Sequence, residues 1–345
     1  MSREILSSSA MNTIAKCPKD YYYRYELGLR PIEDATALQF GTAWHDGMQA
    51  RWMGKSYEDA FIAAMKTAKG LEESMVSALS GLLAGYYRHW GECKEQGTVR
   101  PEIEFRHPIE HSLTFDSAGK IDCLIENNGK VKIVEHKTTG MEISEGSQYW
   151  DRLRYNPQLF QYYLGAQALG HEIETVIYDV TRKPTIHVKG SVSCLDSEGR
   201  KIVLDQNANR VFKGNGEPRM SADAKLGYVF QTRPETFEEY AERLYNDTIK
   251  RPEFYFQRRE VPILLQDIEA FIDERIERGK QILHYRARER KVGATGWPRN
   301  VGFFTCNTCA YAGFCLQGIP VDVRNPPPGF EVKRKHVELT EVTQQ

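Results

Sequence analysis

The stretch IDCLIENNGKVKIVEHKTTG, residues 121–140, constrains the fold more than any other part of this chain. Two apolar runs flank an Asn-Gly dipeptide, the strongest short-range signal for a β-hairpin with a two-residue turn. Asp122, Glu135 and Lys137 interrupt these otherwise apolar strands, where burial of charge costs most. A two-residue turn at Asn128-Gly129 pairs Asn127 with Lys130 and sets Asp122 opposite Glu135, with Cβ atoms roughly 4.5–5.5 Å apart on one face. Two carboxylates so placed repel, and one takes up a proton unless a divalent cation lies between them. Lys137 follows Glu135 by two residues and points to the same face. A three-residue turn with a bulge at Gly129 would instead slip the register and turn the acids to opposite faces. The first arrangement suits phosphodiester hydrolysis: oxygen ligands for Mg²⁺ or Mn²⁺, and a lysine to place water or meet developing charge. A surface hairpin with ordinary cross-strand charge pairs is the alternative.

The chain around this hairpin has 345 residues, 41% hydrophobic and 27% charged, as expected of a globular protein with a real core. With a formal net charge of -1, the chain carries no global signal for nucleic acid, so any such contact must be local. No apolar run is long enough to span a membrane, and the first residues lack the apolar core of a secretory signal, so the expectation is a cytoplasmic protein in a reducing compartment. Helical spacing is predicted from Ser7, around His45, over 57–68 and 71–94, from the Asn156-Pro157 start to about Gly170, and over 235–249 and 265–290. Strands are predicted in a pair over 102–116, in the hairpin, and in IETVIYDVTRK, with TIHVKG as its partner. Residues 190–233 read as a polar, irregular insertion with no internal repeat. Strands alternating with helices indicate an α/β core.

Seven cysteines in a reducing cell do not read as a disulfide framework. Cys306, Cys309 and Cys315, in CNTCAYAGFC, are spaced to grip one metal centre, and four thiolates can hold zinc or an iron–sulfur cluster. Cys93, Cys123 and Cys194 read as buried or incidental, with Cys123 facing away from Asp122.

The hairpin resembles the core of the PD-(D/E)XK nucleases, in their RecB-like branch. Asp122 matches the family aspartate, and Glu135-His136-Lys137 matches its E-x-K element. His45, in FGTAWHDG, corresponds to the upstream histidine; Gln158 and Tyr162, in YNPQLFQYY, correspond to the Q-x-x-x-Y helix. Glu104 sits where relatives carry an accessory acid, with Glu102 as the other choice. The resemblance implies a restriction-endonuclease-like core, a central mixed sheet flanked by helices. It implies a metal held by His45, Asp122, Glu135 and the main-chain carbonyl of His136, with Lys137, Gln158 and Tyr162 acting on water or substrate. One early cysteine with three late ones resembles the staple of AddB-type and CRISPR-associated exonucleases. That implies a [4Fe–4S] cluster on Cys17, Cys306, Cys309 and Cys315, with structural Zn²⁺ as the alternative.

The expected organisation is therefore a small helical iron–sulfur lobe from residues 1–30 and 295–325. A nuclease core spans 31–294, and a loosely ordered tail spans 326–345. Residues Arg275, Arg278, Lys280, Arg286 and Arg288 are spaced to form a basic helix face that tracks phosphates, although neighbouring glutamates could equally balance a solvated helix. The tyrosines of YYYRYE are expected to pack the lobe rather than to stack on bases. No P-loop motif is present, so this is a free-standing nuclease by expectation, of the kind frequent in phages and mobile elements. The expected activity is an exonuclease with little sequence preference, acting in recombination, repair or replication on DNA with an end or single-stranded portion. The rivals are a flap or structure-specific endonuclease, and a DNA-binding assembly factor with a vestigial site.

Overall fold

Asn128 and Gly129 take φ angles of +51° and +78° in the computed structural model, the left-handed pair that a tight hairpin turn requires. The structure describes residues 3–32, 36–92, 97–336 and 339. The turn joins two long strands of a six-stranded sheet. In chain order its strands are β1 (Glu4–Ile5), β2 (Thr98–Pro108), β3 (Phe115–Asn127), β4 (Lys130–Thr139), β5 (Glu172–Arg182) and β6 (Phe256–Val261). Across the sheet they run β1-β3-β4-β5-β6, with β2 also paired to β3. The β1–β3 and β4–β5 pairs are parallel and the other three pairs antiparallel, so the sheet is mixed.

The longer helices are α1 (Ser8–Lys16), α2 (Thr36–Trp52), α3 (Tyr57–Thr67), α4 (Glu73–Trp90), α5 (Gln148–Arg154), α6 (Pro157–Ala168), α7 (Phe237–Lys250) and α8 (Leu265–Val292). The predicted start of α6 is built as its residues dictate. Asn156 accepts from the Gln158 amide, and Pro157 occupies the first turn, where its missing N–H costs nothing. One face of α6 lies close to β2: a Cβ at Gly165 would sit 2.5 Å from the Phe105 ring. That fit fixes where Gln158 and Tyr162, on the same helix, meet the sheet.

The chain divides into two compact units. The first comprises Met1–Ala68, Glu92–Arg182 and Glu253–Gln345, and holds the sheet. One of its hydrophobic clusters includes Phe105, Ile121, Ile133, Tyr162 and Tyr178. In another, Tyr21, Tyr22, Tyr23 and Tyr25 are buried with Trp297, Tyr311 and Phe314. The tyrosines therefore pack, and are not available to stack on bases.

The second unit comprises Lys69–Gly91 and Lys183–Pro252. Within it α4 lies against α7, with Gly81 and Gly85 close to Leu244 and Thr248. The polar stretch expected to be irregular and free of repeats proves to be serial. Three tight turns follow one another, each closed by the same two backbone bonds. Asp196 and Gly199 donate to Arg200 and Asp196; Asp205 and Ala208 to Asn209 and Asp205; Lys213 and Gly216 to Glu217 and Lys213. Gly199, Ala208 and Gly216 supply the left-handed φ that each turn needs.

Two further expectations are corrected. TIHVKG forms no strand; β5 is flanked instead by β4 and by β6, whose sequence FQRREV hides a strand behind three charges. The region after Pro326 is not wholly loose, because Phe330–Val332 pairs with Leu29–Pro31. The Cys93 expectation lies outside the described residues.

Candidate active site

The hairpin register is the one that the two-residue turn demands. Asn127 pairs with Lys130, and the pairing runs without slip to Cys123 and Val134. Beyond that pair the His136 amide donates to Asp122 Oδ2 at 2.9 Å, which turns the aspartate side chain toward β4. Glu135 is almost fully buried, in a strand whose neighbours Ile133, Val134 and His136 are buried as well. A charge is thus built into a central strand covered on both faces.

From α2, His45 brings its Nδ1 to 3.3 Å from Asp122 Oδ2. Lys137 Nζ donates to Glu135 Oε1 at 2.5 Å and to Gln158 Oε1 at 2.6 Å. Gln158 Nε2 in turn donates to the Tyr162 hydroxyl at 2.7 Å. All six side-chain positions singled out in sequence (His45, Asp122, Glu135, Lys137, Gln158 and Tyr162) therefore meet in one cluster. Tyr162 keeps its proton, since burial and the nearby Glu135 and Asp122 charges raise its phenol well above the ordinary value. Being neutral, it can hold Gln158 so that the amide oxygen faces Lys137.

The two carboxylates are driven apart in proton affinity, as repulsion requires. Burial and the Asp122 charge push Glu135 up to about 7, against the pull of Lys137 and His45. Burial also raises Asp122, but His45, His136 and Lys137 outweigh it and hold that carboxyl well below its usual range. Glu135 Oε2 is buried without a hydrogen-bond partner, which is the orphaned acceptor that a cation would satisfy. The donor set of two carboxylates and an imidazole fits a hard divalent ion. Among the described residues no three acidic, histidine or cysteine side chains already converge tightly enough to hold a metal, so a cation would have to draw Glu135 toward Asp122.

Sequence reading missed the layer behind these residues. His136 Nδ1 lies 3.2 Å from Asp179 Oδ2, and Asp179 Oδ1 lies 3.3 Å from Arg258 Nε. The Arg258 guanidinium also stands over the Trp52 ring at 5.2 Å. Asp179 interrupts the apolar run of β5 as Asp122 interrupts β3, and that signal was there to be used. Glu104 pairs with Lys120 across β2 and β3, and Glu102, which takes a left-handed φ within β2, forms an ion pair with the same lysine.

The cysteines gather at a second place. Cys17, Cys306, Cys309 and Cys315 line one small pocket with Asp20 and Tyr23. The Asn300 amide donates to Cys17 Sγ at 3.4 Å, and burial, with Asp20, pushes the Cys309 thiol up to about 11. None of the four is in a disulfide. Cys123 is fully buried and Cys194 half-buried, and neither lines this pocket.

The expected basic face of α8 is only partly open. Arg275 is buried, and Arg286 is gripped by Glu4 and Glu26, with contacts of 2.7–3.1 Å. These two are corrected as phosphate trackers, because one is walled in and the other neutralised. Lys280 pairs with Glu277 and Arg278 bonds Gln281, while Arg288 is exposed. No helix among the described residues is long and apolar enough to cross a membrane.

A family model described as the PD-(D/E)XK nuclease superfamily matches residues 5–316. No curated protein matches the chain in sequence. Among solved structures the chain is similar to the crystal structure of SSO0001. The identity is 13%, over 72% of this chain and 77% of that one, with a TM-score of 0.26, too low for that likeness to carry an argument. The family match runs unbroken from the first strand, through the hairpin acids, to the last cysteine, and by it this chain belongs to the PD-(D/E)XK nuclease superfamily.

Proposed function

We propose that the protein is a Mg²⁺- or Mn²⁺-dependent deoxyribonuclease acting as an exonuclease with little sequence preference. The observation that carries this reading is the position of Lys137, held between Glu135 and Gln158 beside the Asp122 carboxylate. His45, Asp122, Glu135 and the carbonyl of His136 would hold the ion. When bound, such an ion engages the scissile phosphate and lowers the pKa of a water nucleophile. The chain's own part is positional. Tyr162 fixes Gln158, Gln158 and Glu135 fix Lys137, and the Lys137 ammonium donates to the attacking water or to a non-bridging phosphate oxygen. Asp179 and Arg258 keep the His136 backbone, and with it the strand, in place.

The grouping of Cys17, Cys306, Cys309 and Cys315 around one pocket supports a [4Fe–4S] cluster joining the chain ends, with Zn²⁺ as the alternative. An intact site argues against a purely DNA-binding assembly factor. A process in recombination, repair or replication, and a phage or mobile-element source, rest on resemblance alone.

The test is digestion of end-labelled linear DNA, single- and double-stranded, beside closed circular DNA, with Mg²⁺ or Mn²⁺. Release of label from linear DNA with circles intact is expected. Cleavage of circles, or of flaps alone, selects the endonuclease reading; no cleavage with either ion sinks the nuclease reading.

A further inference from the structure

The first unit contains a cavity of about 310 Å³ between the turn that follows β2 and the middle of α8. Its walls include Leu6, Ile109, Phe115, Ile276 and Leu283, and Arg275 lines it as well. Arg275 is only 2% exposed, and its Nε and Nη1 are buried with no hydrogen-bond partner. The Phe271 ring lies 5.7 Å from its guanidinium carbon. Arginine cannot shed its charge in a protein, so a buried guanidinium without a partner demands a counter-charge.

Nothing among the described residues supplies one. Asp116 is taken by Arg3 and Arg106, at 3.1 and 2.8 Å. Glu110, whose charge acts on Arg275 at a distance, is exposed and makes no ion pair with it. His107 has a buried, unpartnered Nε2 and is held neutral by burial and by the Arg275 charge. Lys280, also on the wall, is already paired with Glu277 at 2.6 Å. The unmet charge in the cavity is thus a single positive one, which matches a monoanion better than a phosphate dianion. The remaining walls are mostly apolar, and Leu113, 96% exposed, stands with them.

We propose that this cavity binds an organic monoanion, a carboxylate carried on an apolar body, with Arg275 as its charge partner. The guanidinium donates to the carboxylate, and the body displaces water from Ile109, Phe115 and Ile276. The carboxylate could belong to a free organic acid or to the apolar C-terminal residue of a peptide. The site does not depend on the nuclease reading.

The test is titration calorimetry on the full chain with 4-phenylbutyrate, 4-phenylbutan-1-ol, inorganic phosphate, and a short peptide ending in Phe as acid or as amide. One saturable site for at least one of the carboxylates is expected, with the alcohol, the amide and phosphate at least tenfold weaker. The tighter of phenylbutyrate and the peptide acid identifies the source. Arg275→Met should weaken carboxylate binding at least tenfold while leaving the unfolding temperature of the free protein unchanged or raised. Equal binding of the alcohol, tighter binding of phosphate, or no binding of either carboxylate overturns the proposal. So does a lower unfolding temperature for Arg275→Met, which would mean that the guanidinium has an internal partner.

Discussion

Replacing Glu135 by Gln should make the metal-free protein more stable, and only at high pH. Burial and the Asp122 charge lift this carboxyl from 4.5 to about 7. At about 1.4 kcal/mol per tenfold change in proton affinity, that displacement amounts to about 3 kcal/mol. Below pH 4.5 the group is protonated whether the chain is folded or not, and it costs nothing. As pH rises from 4.5 to about 7 the unfolded chain ionises first and stability drains away. Above about 7 the full ~3 kcal/mol is lost, because an ionised carboxylate is then held in the strand beside Asp122. Gln keeps the shape and a carbonyl for Lys137 but cannot ionise. Urea unfolding in EDTA, followed by tryptophan fluorescence at pH 4.5 and pH 8, measures both proteins. The advantage of Glu135→Gln should grow by about 3 kcal/mol between the two pH values. Mn²⁺ at pH 8 should stabilise the wild type and do little for the variant, since only the wild type offers the ion a second carboxylate. An advantage that is the same at both pH values would refute the buried, repelled carboxylate on which the site assignment depends.

Lys137→Ala should lower the rate of DNA cleavage about 10²–10³-fold, as for loss of one charge-stabilising donor, with the fold intact by circular dichroism. Gln158→Ala should cost about tenfold or less, because Lys137 retains Glu135; equal losses would mean that the glutamine itself touches substrate. The affinity for Mn²⁺ should fall between pH 8 and pH 6, since Glu135 must shed its proton and His45, raised by Asp122 against the effect of burial, must shed one as well. A flat Mn²⁺ titration across that range would exclude them as ligands. Cys17→Ser should lose iron and visible absorbance from anaerobically purified protein, and Cys194→Ser should lose neither.

The hairpin and its acids were legible because local rules decide them. Asn-Gly fixes the turn, the turn fixes the register, and period-two alternation fixes the face. The Gln158–Tyr162 pair was legible only through the family resemblance, since two residues one helical turn apart share a face whether or not they serve a site. What escaped was decided by distant partners. FQRREV carries three charges in six residues, yet it forms an edge strand because β5 offers it an antiparallel partner. Arg275 and Arg286 have the same spacing signal as solvent-facing arginines. Only the packing of α8 shows that one is walled in and the other clamped by acids from the first 26 residues. The serial turns of 196–217 escaped although two of them share a Leu-Asp whose carboxylate accepts from the amides two and four residues on, because Gly, Ala and Gly stand at the left-handed position and the third turn has Lys213 in place of the aspartate.

The division of the chain also sets an order of assembly during synthesis. Neither unit is a continuous stretch of sequence: residues 69–91 are made long before the 183–252 segment with which they form a unit. Domains fold as wholes while a chain grows at about 5–20 residues per second. The α4 segment therefore waits on the order of 10 s before α7 reaches it, with the apolar face of Leu79, Leu82 and Leu83 uncovered. The site residues from His45 to Tyr162 are all made before Arg258 arrives to complete the His136–Asp179 support. A nascent chain halted in that interval holds every side chain of the proposed site without the strand that steadies them, so under the proposed function competence to cut should follow the last strand rather than the last site residue.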